Sequence, residues 1–283
     1  MVECCIRVSS GKVSGSMCEY AIRIISRAAF VASALTMETA IAGSGGFESE
    51  QSGLYAVLDI SWISGGVPQS GSIAIDLLYD SAPMTVSNFM GLATGDQPWW
   101  DPDGFKAGTG SYYDGLTFHR VRPRRDELAP SDTGLSGLIE GGDIAGSGAG
   151  GPGYAFHDEI DWSLTHNGAG AVSMQNTGPN SNGSLFFITA TNPEFYPSHL
   201  DGSHSIFGQV VAGQDVVDAL SLVAKDDDDR PLEAIVFHIT EFLVVGPETE
   251  AFVSAQDLWR PQVSFEAVDE LNIRKEGGGG IYS

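Results

Sequence analysis

From Leu54 to Val245 the chain is cut into short apolar segments of strand length, each closed off by glycine, proline or asparagine. That punctuation leaves little room for long helices and points to a turn-rich β architecture. The 36 glycines support it, because positive φ in a tight turn is cheap only for glycine. Residues 54–63 and 72–79 are rich in β-branched and aromatic types and flank Gly65, Gly66, Pro68 and Gly71, a hairpin signal. Further strands are predicted at 117–121, 171–174, 186–190 and 206–210, and a closing strand at 235–239, where Ile235, Phe237 and Ile239 alternate with Val236 and His238.

Two segments break this period. After Pro83, residues Val86, Phe89, Met90 and Ala93 fall on one helical face that ends near Gly95, and Val216, Val217, Leu220 and Val223 mark a second helix. Residues 95–115 combine glycine, proline and aspartate with several aromatics and read as a long surface loop whose rings pack locally. Many antiparallel strands with two helices favour a closed barrel or a sandwich, since closure protects strand edges.

Lys plus Arg number 14 against 37 Asp plus Glu, a formal net charge of −23, so a polyanion is repelled and nucleic acid is not an expected partner. Cys4, Cys5 and Cys18 all fall in the first 18 residues, which excludes a disulfide, thiolate zinc site or cysteine nucleophile within the remainder. The six histidines are too scattered to mark a metal site. Arg7, Lys12, Arg23 and Arg27, the apolar run 28–35 and Ala40-Ile41-Ala42 resemble an export signal, so residues 1–42 are expected to be removed and the chain to act in the periplasm, cell envelope or medium. Without that signal the chain would be cytoplasmic. No run reaches the length of about 18 apolar residues that a membrane span needs. Residues 43–53 read as a linker, 54–245 as the domain, and 246–283 as an extension of unassigned structure. Asp226 to Asp229 reads as a solvated turn, because it lacks the spacing of a calcium loop, and Asn182-Gly183-Ser184 is a glycosylation sequon.

Four motifs occur in order: Phe118-His119-Arg120-Val121, residues 138–143 (LIEGGD), residues 173–189 (SMQNTGPNSNGSLFFIT) and residues 200–208 (LDGSHSIFG). Together they resemble the cyclophilins, a family of peptidyl-prolyl cis/trans isomerases. The resemblance implies a mainly β fold, a closed eight-stranded antiparallel barrel capped by two α-helices. It also implies action on Xaa-Pro bonds of proline-containing polypeptides, with no cofactor and no metal. By the same resemblance Arg120 matches the catalytic arginine. Asn176 matches the residue whose main chain holds substrate, with Gln175 beside it. Phe187 and Leu200 match walls of the proline pocket and His204 its rim, while Leu138, also expected to bind substrate, falls where the family usually has methionine. His119 is expected to be structural, bonded to main chain.

The chain departs from the family pattern at specific places. Glutamines of the family become Glu140 and Leu185, a pocket phenylalanine becomes Gly137, and a tryptophan position carries His199. Glu140 can hold Arg120 rigidly, yet an ion pair also draws donor capacity away from substrate. The segment 122–136 is an insertion from which Leu128 or Leu135 is available to fill the gap left at Gly137. Retained Arg120, Asn176, Phe187, Leu200 and His204 favour an isomerase that assists protein folding. Glu140, Gly137 and Leu185 favour a non-catalytic or weakly catalytic proline-peptide binding module on the same fold. A secreted β-domain without a peptide site is the third reading. Oligomeric state is left open.

Overall fold

The computed structural model describes residues 21–25, 47–101, 106–108, 110–122, 137–191 and 200–263. Its strands are β1 (Ala21–Ile25), β2 (Gly53–Ser64), β3 (Val67–Leu77), β4 (Trp99–Asp101), β5 (Lys106–Gly108), β6 (Phe118–Arg122), β7 (Leu138–Gly141), β8 (Ala171–Met174), β9 (Phe186–Thr189), β10 (Ile206–Ala212) and β11 (Val236–Val245). Three helices accompany them: α1 (Pro83–Thr94), α2 (Gln214–Ser221) and α3 (Pro247–Ala255).

Gly65 and Gly66 turn β2 into β3 with φ of 58° and 78°, and two consecutive positive φ values are what a two-residue hairpin turn of matching twist requires. Along β2, Leu54, Ala56, Leu58, Ile60 and Trp62 enter the main core, while Tyr55 joins Leu243 and Val245 in a smaller cluster on the other face. α1 begins at its proline and ends at Gly95, with φ 82°; its first amides, at Met84 and Thr85, donate to the Glu159 carboxylate at 3.0 and 2.8 Å. Val86, Phe89, Met90 and Ala93 of α1, with Val217 and Leu220 of α2, are buried in the same core as the inward strand residues.

Eight strands follow in the antiparallel order β11-β2-β3-β10-β8-β9-β7-β6, and β1 lies parallel to β11 on its outer side. Register shifts in β6, β10 and β11 bend the sheet into a half-barrel. The expected closed barrel is corrected here: the ladder is open between β6 and β11. The two strands touch through one bridge, Thr117 to Val236, with Phe118 N donating to Ile235 O and Phe237 N to Leu116 O, both at 2.9 Å. Beyond it the Val121 amide turns to the Asp229 carbonyl at 2.9 Å, so the 226–231 turn takes the place that β11 would occupy in a closed ladder.

Two further expectations change. The 95–115 segment is not a surface loop throughout: β4 and β5 pair as a short hairpin, and Trp99, Tyr112 and Tyr113 are core residues. The start of the extension has structure that the sequence left unassigned. α3 and the 3-10 turn Gln256–Leu258 lie against the body, with Tyr79 and Phe252 stacked at 4.6 Å and Gln97 Nε2 donating to Pro261 O at 3.2 Å. Of the expected signal, residues 21–25 form β1 and the rest lies outside the described residues, as do His199, Leu128 and Leu135.

Candidate functional site

Regular alternation would place Phe118 and Arg120 on one face of β6. The register shift between them inserts His119 as an extra residue, so Phe118 packs on Phe237 at 4.8 Å, Val121 returns to the core, and Arg120 turns outward. Opposite Arg120 on β7 stands Glu140, and opposite Glu140 on β9 stands Phe187. One outward row of the sheet therefore carries a cation, a carboxylate and an aromatic ring in ladder positions.

Arg120 is about one-third exposed, its side chain at 35%, whereas that of Glu140 is 8%. Its Nη1 donates to Glu140 Oε1 at 3.2 Å and to Oε2 at 3.4 Å, and its Nε edge faces Asp229 Oδ2 at 3.8 Å. Asp229 also accepts from Arg122 Nε and Lys225 Nζ, each at 2.5 Å. Burial pushes the Asp229 carboxyl up, but the hydrogen bonds from Lys225 and Arg122 and their charges outweigh it and hold the group below the usual carboxylate range. The expectation of a merely solvated turn is thus corrected at one residue. Asp226 caps the turn by accepting from the amides of Asp228 and Arg230, while Asp229 is buried under three cations.

A cleft of about 320 Å³ opens over this pair, lined among others by Arg120, Glu140, Gln175, His119, Asp228 and Arg230. One wall is the 143–151 loop, organised by the Asp143 carboxylate, which accepts the amides of Ala145, Ser147, Gly148 and Gly150. Burial raises the Asp143 carboxyl, and these bonds with that of the Ser147 hydroxyl more than reverse it, leaving it below the ordinary value. His119 is corrected: neither ring nitrogen has a hydrogen-bond partner among the described residues. Burial lowers its pKa against the pull of Glu140 and Asp143, which favours the neutral ring.

Beside the cleft lies an outward apolar layer separate from the main core. Leu138, Leu185, Phe187 and Leu200 are each buried to within 6%. Phe187 stacks on His166 at 5.6 Å and meets His204 edge-on at 5.7 Å. His166 is pinned by Asp201, whose Oδ1 lies 2.8 Å from Nδ1 and accepts the His166 amide at 2.8 Å. His204 Nδ1 donates to the Met174 carbonyl at 2.9 Å, which fixes the orientation of the ring. Asn176 Nδ2 donates to Ser203 O at 2.8 Å and its Oδ1 accepts Gly178 N at 3.3 Å, so its side chain ties two loops together. Its own N–H and C=O bond to no other described residue.

The structure therefore joins Arg120, Glu140 and Gln175 in one cleft, with Phe187 next along the sheet and His204 and Asn176 on adjoining loops. Leu138, Leu185, Phe187 and Leu200 are buried beside the cleft and do not line it. Asp229, Asp143 and His166 were not singled out from the sequence. No spacing signal connects Asp229 to Arg120, 109 residues earlier, and a run of four aspartates hides which one is buried. The sequon is also resolved: Asn182 is fully buried and its Nδ2 donates to Asp158 Oδ1 at 2.8 Å, which leaves no amide for a glycan. Among the described residues, no helix is long and apolar enough to cross a membrane.

Comparison with known proteins identifies the family of the chain. The family model described as cyclophilin type peptidyl-prolyl cis-trans isomerase/CLD matches residues 63–241. Peptidyl-prolyl cis-trans isomerase B of Streptomyces anulatus is 42% identical over 170 residues, which span 59% of this chain and 87% of that protein. A probable peptidyl-prolyl cis-trans isomerase A of Mycobacterium bovis is 40% identical over 169 residues, 59% of this chain and 84% of the relative. A crystal structure of a Cryptosporidium parvum cyclophilin type peptidyl-prolyl cis-trans isomerase aligns with a TM-score of 0.48 at 25% identity, covering 68% of this chain and 99% of that one.

Proposed function

Since this chain belongs to the cyclophilin-type peptidyl-prolyl cis-trans isomerases, we propose that it isomerises Xaa-Pro bonds of polypeptide substrates at the Arg120 cleft and thereby assists protein folding. The barrier to be lowered is about 18–20 kcal/mol and comes from amide resonance. Xaa-Pro bonds are suitable substrates because their cis and trans ground states are closely balanced. In the twisted state the prolyl nitrogen regains its lone pair and can accept a hydrogen bond, which it cannot do in either planar state. A guanidinium aimed at that nitrogen therefore stabilises the transition state selectively. Arginine suits the task because it stays protonated and carries its donors on a rigid plane.

The observation that carries this reading is the outward turn of Arg120 at the bulge, which sets a cation about one-third exposed over an open cleft in the same row as Phe187. The unpaired Asn176 edge supports a peptide lying across the loop, with the proline ring toward Phe187. Action outside the cytoplasm belongs to the same reading and is supported by the basic N-terminus and the Ala40-Ile41-Ala42 site.

A protease-coupled assay on a Xaa-Pro peptide tests it. A charge-assisted hydrogen bond contributes about 1.5–3 kcal/mol, so Arg120→Ala is expected to lower kcat/KM by about 10- to 150-fold. Equal rates for wild type and Arg120→Ala would remove the catalytic role.

A further inference from the structure

Arg120 is gripped from two sides in two different ways. Glu140 takes hydrogen bonds from Nη1, whereas Asp229, at 3.8 Å from Nε, lies beyond hydrogen-bond distance and acts on the cation by charge alone. No described residue takes a hydrogen bond from Nη2. The planar fork is thus fixed at one corner by bonding and along another edge by attraction, with its third nitrogen uncommitted.

Asp229 is suited to that role by its surroundings. It is buried, its backbone sits at φ 65°, a conformation that aspartate and asparagine tolerate better than most residues, and its carboxylate is anchored by Arg122 and Lys225. A negative charge held so firmly can orient a neighbouring cation without moving toward it. Its main chain is equally tied, since its carbonyl accepts the Val121 amide next to Arg120.

We infer that Asp229 is a positioning residue for Arg120, holding the guanidinium so that Nη2 is the group presented to the prolyl nitrogen. The inference rests on the isomerase reading above. A donor held in place before substrate arrives lowers the barrier without tightening ground-state binding, so the loss of Asp229 should appear in kcat rather than in peptide affinity.

Asp229→Asn keeps the size of the side chain and its tolerance of the backbone conformation, and removes the charge. It is expected to lower kcat about tenfold, with peptide affinity, titrated by NMR, unchanged within about twofold. In the ¹⁵N-labelled wild-type chain, the Arg120 Nε–H resonance should be resolved and rotation about its Nε–Cζ bond slow. This second measurement needs no variant and can still overturn the role should Asp229→Asn fail to fold. A folded Asp229→Asn with wild-type kcat overturns the positioning role while leaving Arg120 catalysis intact, and so does a freely rotating Arg120 guanidinium in the wild type. A wild type no faster than Arg120→Ala overturns both together.

Discussion

Replacing Glu140 by glutamine isolates how much of the catalytic cation is spent on its neighbour. Glutamine is nearly isosteric and keeps an oxygen where Glu140 Oε1 now lies, 3.2 Å from Nη1, so the guanidinium keeps a bonded corner. What changes is charge. A charge-assisted hydrogen bond is roughly twice as strong as a neutral one, and a neutral one contributes about 1 kcal/mol, so the exchange releases at most about 1 kcal/mol of competing attraction. Arg120 is 35% exposed, and solvent screens part of that figure. About 0.5–1 kcal/mol remains, which raises kcat/KM about two- to fivefold. The assay is the protease-coupled isomerisation of one peptide by wild type, Glu140→Gln, Arg120→Ala and the double variant. The gain should vanish in the Arg120→Ala background, because it acts through that side chain. A kcat/KM for Glu140→Gln at or below wild type would refute the reasoning and make Glu140 a support that Arg120 needs in its charged form.

Two further outcomes follow from the framework around the site. Asp143→Asn strips the charge that collects the amides of the 143–151 loop, and should cost about 2–4 kcal/mol in urea unfolding at pH 7. Because the folded carboxyl titrates below its unfolded value of about 3.9, its contribution is complete above that pH and is lost as pH falls through the folded value. The gap between the two proteins should therefore narrow below about pH 4, and a gap constant from pH 7 to pH 3 would contradict the account. Phe252→Ala removes the ring stacked on Tyr79 and should cost about 1–2 kcal/mol in the same measurement, with kcat/KM unchanged. A loss below about 0.3 kcal/mol would mean that the extension is not held there.

Alternation made the later half of β2, β10 and the start of β11 legible, whereas β6, β8 and β9 were read from short apolar runs bounded by glycine, proline or asparagine. β7 was not, since Leu138-Ile139-Glu140-Gly141 is buried at every position, so it has no period, and a glutamate interrupts its apolar run. β1 and α3 depend on contacts with elements far away in the chain. Arg120 was legible through the motif around it, but the reason it faces outward, a bulge at His119, lies in the register with β7 and not in any single segment. Asp229 was invisible for a similar reason: its burial is decided by three cations from two separate stretches of the chain. His119 looked like a bonded structural residue and is instead a buried ring whose nitrogens have no partner among the described residues. Gly137 shows the limit of reading a pocket by substitution: its φ of 76° makes a phenylalanine there strained whatever space is available.

The kink at His119 bears on what mutation can do to this gene. Loss of the His119 codon would keep the reading frame and remove the one surplus residue, leaving phenylalanine inward, arginine outward and valine inward in plain alternation. The direction of the guanidinium would therefore survive that deletion. What would go is the sheltered imidazole beside Gly148, so the surplus residue serves the wall of the cleft rather than the aim of its cation.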